Sequence, residues 1–359
     1  MKRRIGILLD RKVWNALKTQ RSTGNEKINL YNQASKNLGL RPFYMTLRKI
    51  NRAKAAGLIR SGNRYKYVWR TVPDVIHNRA IVSHPSLSRK LRLLGRSRLL
   101  FNRQNRYSKY RIHKLLVQKH SSSYRVPMTT RLSKARLAEA MKNKLPLYIK
   151  PMKGSIGEGI LRLSYRGQGK WKLQSGVKRI RYGTAKRTID RVMKQAGKRR
   201  YLVQNAIALA QYDGRPYDLR VTVQRGERGV WQVTGIFGKV AAPGRHVTNV
   251  AKGGTVKRAK TLFKASGFHP EAMERLVAQV SLQIADYLGR RLPGLADIGL
   301  DLGIDHSGKI YFIEMNGRDQ RIGFKKAGMK DTFYRSYETP LRYARYLLGR
   351  SGRSDGSVN

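Results

Sequence analysis

The chain has no cysteine among its 359 residues. That excludes a disulfide framework, a thiolate metal site and a cysteine nucleophile, and it leaves the redox compartment unread. Acidic residues are scarce: 20 Asp and Glu stand against 77 Lys and Arg, a formal net charge of +57. Between residues 75 and 138 there is no acid at all, while sixteen arginines and lysines occur. Long apolar runs are also missing, so no segment reads as a membrane span. The apolar stretch from Ile5 to Leu9 is too short for a signal peptide and is expected to form a first strand. The seven histidines lack the close spacing of a transition-metal site, no serine nucleophile elbow occurs, and no internal repeat is visible. What remains is a chain with 40% hydrophobic residues, long enough for two or three folded units with a large core.

So strong a positive field repels itself and attracts polyanions in a salt-dependent way. Nucleic acid, an anionic wall polymer and an acidic polypeptide all meet that description. A generally basic proteome, or adaptation to a crowded acidic compartment, accounts for the charge without such a partner. Composition does not choose among these readings.

Chemistry first becomes specific at residues 147–160. An apolar run ends at Lys150, and a loop follows with Lys153, Gly154, Ser155, Gly157 and Gly159 before a strand-like pattern resumes. Two strands joined by such a loop can lay backbone N–H groups over phosphate oxygens, because glycine lets the backbone approach the anion. The loop lacks Walker spacing and no helix pattern follows it, so it is not a dinucleotide fingerprint. A glycine-rich hairpin beside a solvated lysine is the plain alternative.

Near the carboxyl end, residues 298–305 and 309–316 are two apolar runs separated by His306, Ser307 and Gly308. Asp305 and Gly308 fit the first and last positions of a tight turn, so the runs read as a hairpin. Period-two alternation puts Glu314 and Asn316 on one strand face, and Asp301 on the neighbouring strand can face them. Three hard oxygen donors then converge, which suits magnesium bridging nucleotide phosphates. In residues 218–224 the same alternation places Asp218 and Arg220 opposite Leu219, Val221 and Val223. Asp218 could accept ribose hydroxyls and Arg220 could clamp a phosphoryl group. A solvated cross-strand ion pair is the ordinary alternative.

Taken in order, these motifs resemble the ATP-grasp superfamily and, within it, the YheC/YheD endospore coat-associated family. The resemblance covers most of the chain. It rests on residues 73–79, Lys150 with its glycine loop, Asp218 with Arg220, Asn249 ahead of Gly253 and Gly254, and the Asp301, Glu314 and Asn316 trio. It implies an ATP-grasp fold, an α/β (α+β) architecture in which two α+β subdomains grip Mg-ATP behind a small N-terminal α/β domain. It further implies a ligase of carboxylate–amine or carboxylate–thiol type acting through an acyl phosphate, with ATP and Mg²⁺, or Mn²⁺, as cofactors. Adenine would lie at Gln204, Asn205 and Ala206. Lys150, Lys239 and Asn249 would approach the phosphates, with Lys239 where the family more often has arginine. A cytoplasmic or spore-coat location follows from the same likeness. A coat protein that binds ATP without turnover is the rival reading.

The expected units are residues 1–83, an N-terminal α/β domain; 84–205, linker helices with the first subdomain; 206–350, the second subdomain; and 351–359, a polar tail. Tyr65, Tyr67 and Trp69 alternate like core aromatics of a half-buried strand rather than a base-stacking platform. Leu87, Leu91 and Leu94 predict a helix over 86–111 linking two domains. Ser133 is expected to cap a helix over 132–142. The clearest helix, 270–287, carries Met273, Leu276, Val277, Val280 and Ile284 in one stripe. After Asn316 the family commonly has a proline-containing turn, whereas this chain has Gly317, Arg318, Asp319, Gln320 and Arg321.

Overall fold

The computed structural model describes residues 3–152, 159–176, 179–246, 248, 250 and 253–354. Three six-stranded sheets organise them.

The first sheet grows around β1 (Arg3–Leu8), whose Ile5, Ile7 and Leu8 are wholly buried. Helices α1 (Arg11–Lys18) and α2 (Ile28–Asn37) follow, then β2 (Leu40–Asn51), β3 (Lys54–Ser61), β4 (Arg64–Thr71) and β5 (Val75–Asn78). Helix α3 (Pro85–Ser97) leads to β6 (Leu99–Phe101), giving the order β4-β3-β2-β1-β5-β6. β1 is parallel to β2 and to β5, and both its faces are covered, as parallel strands require. Ile5 and Ile7 pack with Tyr31 and Tyr44, whereas Leu8 on the other face meets Phe43, Met45 and Leu91.

Two expectations for this region change. The helix predicted over 86–111 stops at Ser97, with its buried Leu91 and Leu94 on the sheet. The next residues become β6, parallel to β5, and Asn102 then turns with φ +52°. Leucine spacing continues a helix in the sequence, but the edge of β5 offers the backbone a ladder. Tyr67 and Trp69 are not core residues: they are 42% and 55% exposed because β4 is an edge strand. Tyr67 packs edge-on against Trp14, and Tyr65 alone reaches inward, to accept a hydrogen bond from Asn32 Nδ2 at 2.6 Å.

After α4 (Lys109–Val117) comes the second sheet. Its strands are β7 (Thr129–Arg131), β8 (Leu147–Pro151), β9 (Leu161–Tyr165), β10 (Lys170–Ser175), β11 (Arg179–Thr184) and β12 (Tyr201–Asn205), with α5 (Lys134–Lys142) between β7 and β8 and α6 (Ala185–Ala196) between β11 and β12. Ser133 Oγ accepts from the Arg136 amide at 3.2 Å, so the cap stands where expected. Leu137, Met141 and Val192 from the two helices pack on Ile149, Leu163 and Val203 of the sheet.

The third sheet contains β13 (Gln211–Tyr212), β14 (Arg215–Arg225), β15 (Trp231–Val240), β16 (Thr255–Arg258), β17 (Asp297–Ile304) and β18 (Ile310–Asn316). Helices α7 (Ala259–Ala265) and α8 (Pro270–Arg291) cover one face. Leu219, Val221 and Val223 of β14 point there, against Val277, Val280 and Ile284 of α8. Leu276, expected in that stripe, is 39% exposed. The opposite face carries Asp218 and Arg220. Finally α9 (Ile322–Lys326) and α10 (Lys330–Ser354) return the chain to the first sheet. Phe333, Tyr337 and Leu341 of α10 share a core with Ile5, Tyr31 and Ala34, so a helix late in the chain joins the first and third sheets.

Candidate functional site

Strand register brings the predicted residues of the third sheet together. Arg220 on β14 pairs across to Asp301 on β17, and Asp301 to Glu314 on β18. Asn316 stands opposite Gly299, two positions from Asp301, and its Nδ2 donates to Asp301 Oδ2 at 3.3 Å. On the other flank Asp218 pairs with Lys239 of β15. A bulge after Asp301 keeps Glu314 and Asn316 on the Asp301 face.

These side chains form one charged cluster. Arg220 donates to Asp301 through Nε at 2.7 Å and Nη2 at 3.3 Å, and to Asp319 through Nη1 at 2.8 Å. Lys239 Nζ lies 2.9 Å from Asp301 and 3.0 Å from Asp218. Thr248 donates its hydroxyl to Asp218. Burial alone would raise the Asp301 carboxyl, but Arg220 and Lys239 outweigh it and hold the group well below the usual range. Asp218 goes the other way: burial, reinforced by Asp301, pushes it up to about 6 despite Lys239. Burial disfavours the Lys239 ammonium, yet Asp218 and Asp301 raise its pKa overall. Three carboxylates, Asp218, Asp301 and Asp319, thus surround two cations, an acidic centre in a chain of net charge +57.

The second sheet contributes the facing wall. Lys150 on β8 donates to Gln204 Oε1 at 2.6 Å, and Gln204 Nε2 donates to Thr129 Oγ1 at 2.9 Å. Burial, then the neighbouring Lys109 charge, lowers the Lys150 ammonium to about 8. A cleft of about 410 Å³ separates the walls, lined by Tyr148, Lys150, Arg162, Gln204, Asp218 and Thr248, among others. The Asn205 and Ala206 amides are taken by the Met128 and Pro146 carbonyls, at 3.0 and 2.8 Å. Ile207, the next residue, lines the cleft, and among the described residues nothing engages its amide. Gly159 is described, at φ +69° beside Pro151 and Tyr201. Lys153, Gly154, Ser155, Gly157 and Asn249, also expected at the phosphates, lie outside the described residues.

Sequence reasoning missed two contributors. Lys109, at the start of α4, reaches Glu314 with Nζ–Oε2 at 3.0 Å. It is one of the sixteen basic residues read as a separate surface, and only the docking of α4 beside β18 aims it inward. Asp319 is fully buried, accepting from Arg220 and from the Thr222 hydroxyl. Its signal was the unusual Arg-Asp-Gln-Arg run after Gly317. Gly317 itself is required there, since a Cβ would meet the Asn105 backbone at 2.6 Å.

That run also ties the site to the first sheet. Arg321 is buried with its guanidinium on Asp297 and over the Tyr337 ring. Asp297 further accepts from Gln224 at 2.8 Å and lies 3.1 Å from His77 Nε2 and 3.4 Å from Arg79. Arg79 reaches on to Glu26 and to the Asp319 carbonyl. Arg318 pairs with Asp10 beyond β1. Burial lowers His77 to about 4, so its imidazole is neutral and Asp297 carries the charge.

Asp301 and Glu314 supply carboxylate oxygens and Asn316 an amide oxygen, the donor chemistry that magnesium accepts. Each carboxylate already lies beside a cation, so a divalent ion here would share it with Arg220, Lys239 or Lys109. The set fits magnesium. Among the described residues no group of three or more acidic, histidine or cysteine side chains is placed to hold a metal ion, and the set here has two carboxylates with an amide.

A model of the YheC/D-like ATP-grasp family matches residues 98–347. The endospore coat-associated protein YheD of Bacillus subtilis (strain 168) is 25% identical over 302 residues; the match spans 81% of this chain and 66% of that protein's length. Among solved structures, the D-cycloserine synthetase DcsG superposes with a TM-score of 0.54 at 14% identity, covering 96% of this chain and 99% of the other. D-alanyl-alanine synthetase A from Vibrio cholerae gives 0.52 at 11%, covering 97% of each. The ATP-grasp ligase PsnB, in complex with a phosphomimetic variant of its minimal precursor, Mg and ADP, gives 0.53 at 13%, covering 92% of this chain and 98% of PsnB. At these identities the likeness concerns the fold.

Proposed function

The chain belongs to the YheC/D-like ATP-grasp family, and from that premise we propose that it is a magnesium- and ATP-dependent ligase joining a carboxylate to an amine or thiol. The observation that carries this reading is the acidic centre made by Asp218, Asp301 and Asp319 around Arg220 and Lys239, opposite Lys150 across a cleft.

Asp301, Glu314 and Asn316 would hold magnesium, which when bound would offset the negative charge of the nucleotide phosphates. Lys150 and Lys239 place ammonium groups along the triphosphate, and Asp218 accepts from the ribose. The base meets backbone beside Gln204, Asn205 and Ala206, with the Ile207 amide the available donor. In the reaction, a carboxylate oxygen of the acceptor attacks the γ-phosphorus and ADP leaves with the bridging oxygen. The amine or thiol then attacks the acyl carbon and phosphate departs. Arg220 stabilises the charge on the transferring group, so positioning and electrostatics suffice and no protein nucleophile is needed. Single-turnover release of ADP, screened over candidate carboxylates, tests the proposal; ATP binding with no carboxylate-dependent ADP release would leave a non-catalytic coat protein as the better reading. Association with an endospore coat follows only from the likeness to YheD.

Lys150 yields a pH prediction. Phosphate binding favours the ammonium, whose pKa in the free protein is lowered to about 8. ADP affinity should therefore fall about five- to sixfold between pH 8 and pH 9, with adenosine unaffected. Lys150→Ala should weaken ADP strongly at pH 7 and abolish that pH dependence. Equal losses for ADP and adenosine would make Lys150 a support of the sheet rather than a phosphate ligand.

Polyanion binding, the second reading, has a narrower base than the sequence suggested. Of the sixteen basic residues in 75–138, Arg79 is buried and Lys109 turns to Glu314. Arg89, Arg92 and Arg96 on α3 do face solvent. If about five phosphates of duplex DNA are contacted, log affinity should fall against log salt with slope roughly −4 to −5. A slope near zero would assign the charge to solubility.

A further inference from the structure

A second cavity, of about 790 Å³, opens between the α1–α2 connection and the α9–α10 turn. Among the described residues it shares no lining residue with the nucleotide cleft. Its rim carries Arg21, Lys27, Lys325 and Lys330, and no carboxylate lines it. The one acid of the α1–α2 connection, Glu26, is turned inward onto Arg79. None of the four cations is in an ion pair among the described residues. Helix α2 begins beside them at Lys27, without a side-chain cap and without an acid in its first turn. Like charges gathered around a concavity repel one another, and a complementary anion removes that cost. The floor is different in kind: Leu17, Ile28 and Phe333 are nearly buried there, with Tyr65 beside them. Asn63, in the β3–β4 turn, borders it.

We propose that this cavity binds a small organic phosphate, its phosphate on the cation rim and an apolar ring on the Leu17, Ile28 and Phe333 floor. Four cations exceed what a carboxylate needs and match a dianion, while the apolar floor would be wasted on a bare inorganic ion. The ligand would bridge the first sheet's helices and the α9–α10 turn. This inference does not depend on the ligase reading.

The test is calorimetry of 1-naphthyl phosphate with the full chain at physiological salt, beside inorganic phosphate. One site is expected, with the naphthyl ester at least about tenfold tighter because its ring leaves water. Lys27→Gln/Lys325→Gln/Lys330→Gln should weaken the ester at least about tenfold through loss of charge-assisted contacts. Asn63→Trp, which crowds the cavity while keeping its charge, should also weaken it. Saturating Mg-ADP should leave it unchanged. A control removing equal charge from α6 and the turn after it, Lys186→Gln/Lys194→Gln/Lys198→Gln, should change affinity less than about twofold, both triple variants being compared at unaltered melting temperature. The proposal is overturned if the control triple weakens binding as much, if Asn63→Trp has no effect, or if ADP displaces the ester.

Discussion

Glu314→Gln combined with Asn316→Ala is expected to abolish magnesium-dependent nucleotide binding while leaving the fold intact. Both side chains sit on β18 with Asp301 as neighbour, and neither is deeply buried; Glu314 is 30% exposed, so its removal leaves little unsatisfied. The double change takes away one of two carboxylates and the amide oxygen of the proposed ligand set. Loss of outer partners alone costs metal sites 10–100-fold in affinity, so loss of two direct ligands should cost at least about 100-fold in Mg-ATP binding. Lys109 would then be left without its carboxylate and would attract the phosphates directly, so residual metal-free ATP binding should persist. Calorimetry with and without magnesium separates the two components. Unchanged Mg-ATP affinity would remove the metal assignment from these residues.

Arg321→Met is expected to destabilise the protein by about 3–5 kcal/mol, the cost of leaving a buried charge without its partner. Arg321 and Asp297 are both inaccessible to solvent. Arg79, His77 and Gln224 remain around the carboxylate, so the loss should stop short of unfolding. The deficit should also depend on pH, with a definite sign. Burial is the main reason the His77 pKa is lowered to about 4, and Arg321 adds to it. Removing Arg321 lets His77 protonate at higher pH, and the imidazolium then compensates Asp297. The variant should therefore lie closer to the parent protein at pH 5 than at pH 8. Arg318→Met, where the pair with Asp10 is 22% exposed on the arginine side, should cost much less. Urea unfolding at both pH values decides the matter; a loss under about 1 kcal/mol, or one independent of pH, would mean that Arg321 contributes by packing alone.

Sequence by itself determined the parts of the site that lie within one strand or one hairpin. Asp218 shares a face with Arg220, and Glu314 with Asn316, because strand side chains alternate; the turn at Asp305 pairs the two strands, and a bulge that alternation alone does not give sets Asp301 opposite Glu314. The Ser133 cap and most of the α8 stripe were legible for the same local reason. Tertiary structure alone decided the rest. Glu26, His77, Arg79, Asp297 and Arg321 converge from segments up to about 300 residues apart, and the local sequence around any one of them does not name the others. Lys109 reads as one cation in a basic run until α4 docks beside β18. Residues 99–101 continue a leucine spacing until the free edge of β5 makes them a strand, and Trp69 reads as core until the order of the sheet puts β4 at its edge. Local periodicity sets which way a side chain points within its own element. Which other element waits there is settled by packing, because the cost of burying a charge depends on partners that the local sequence does not contain.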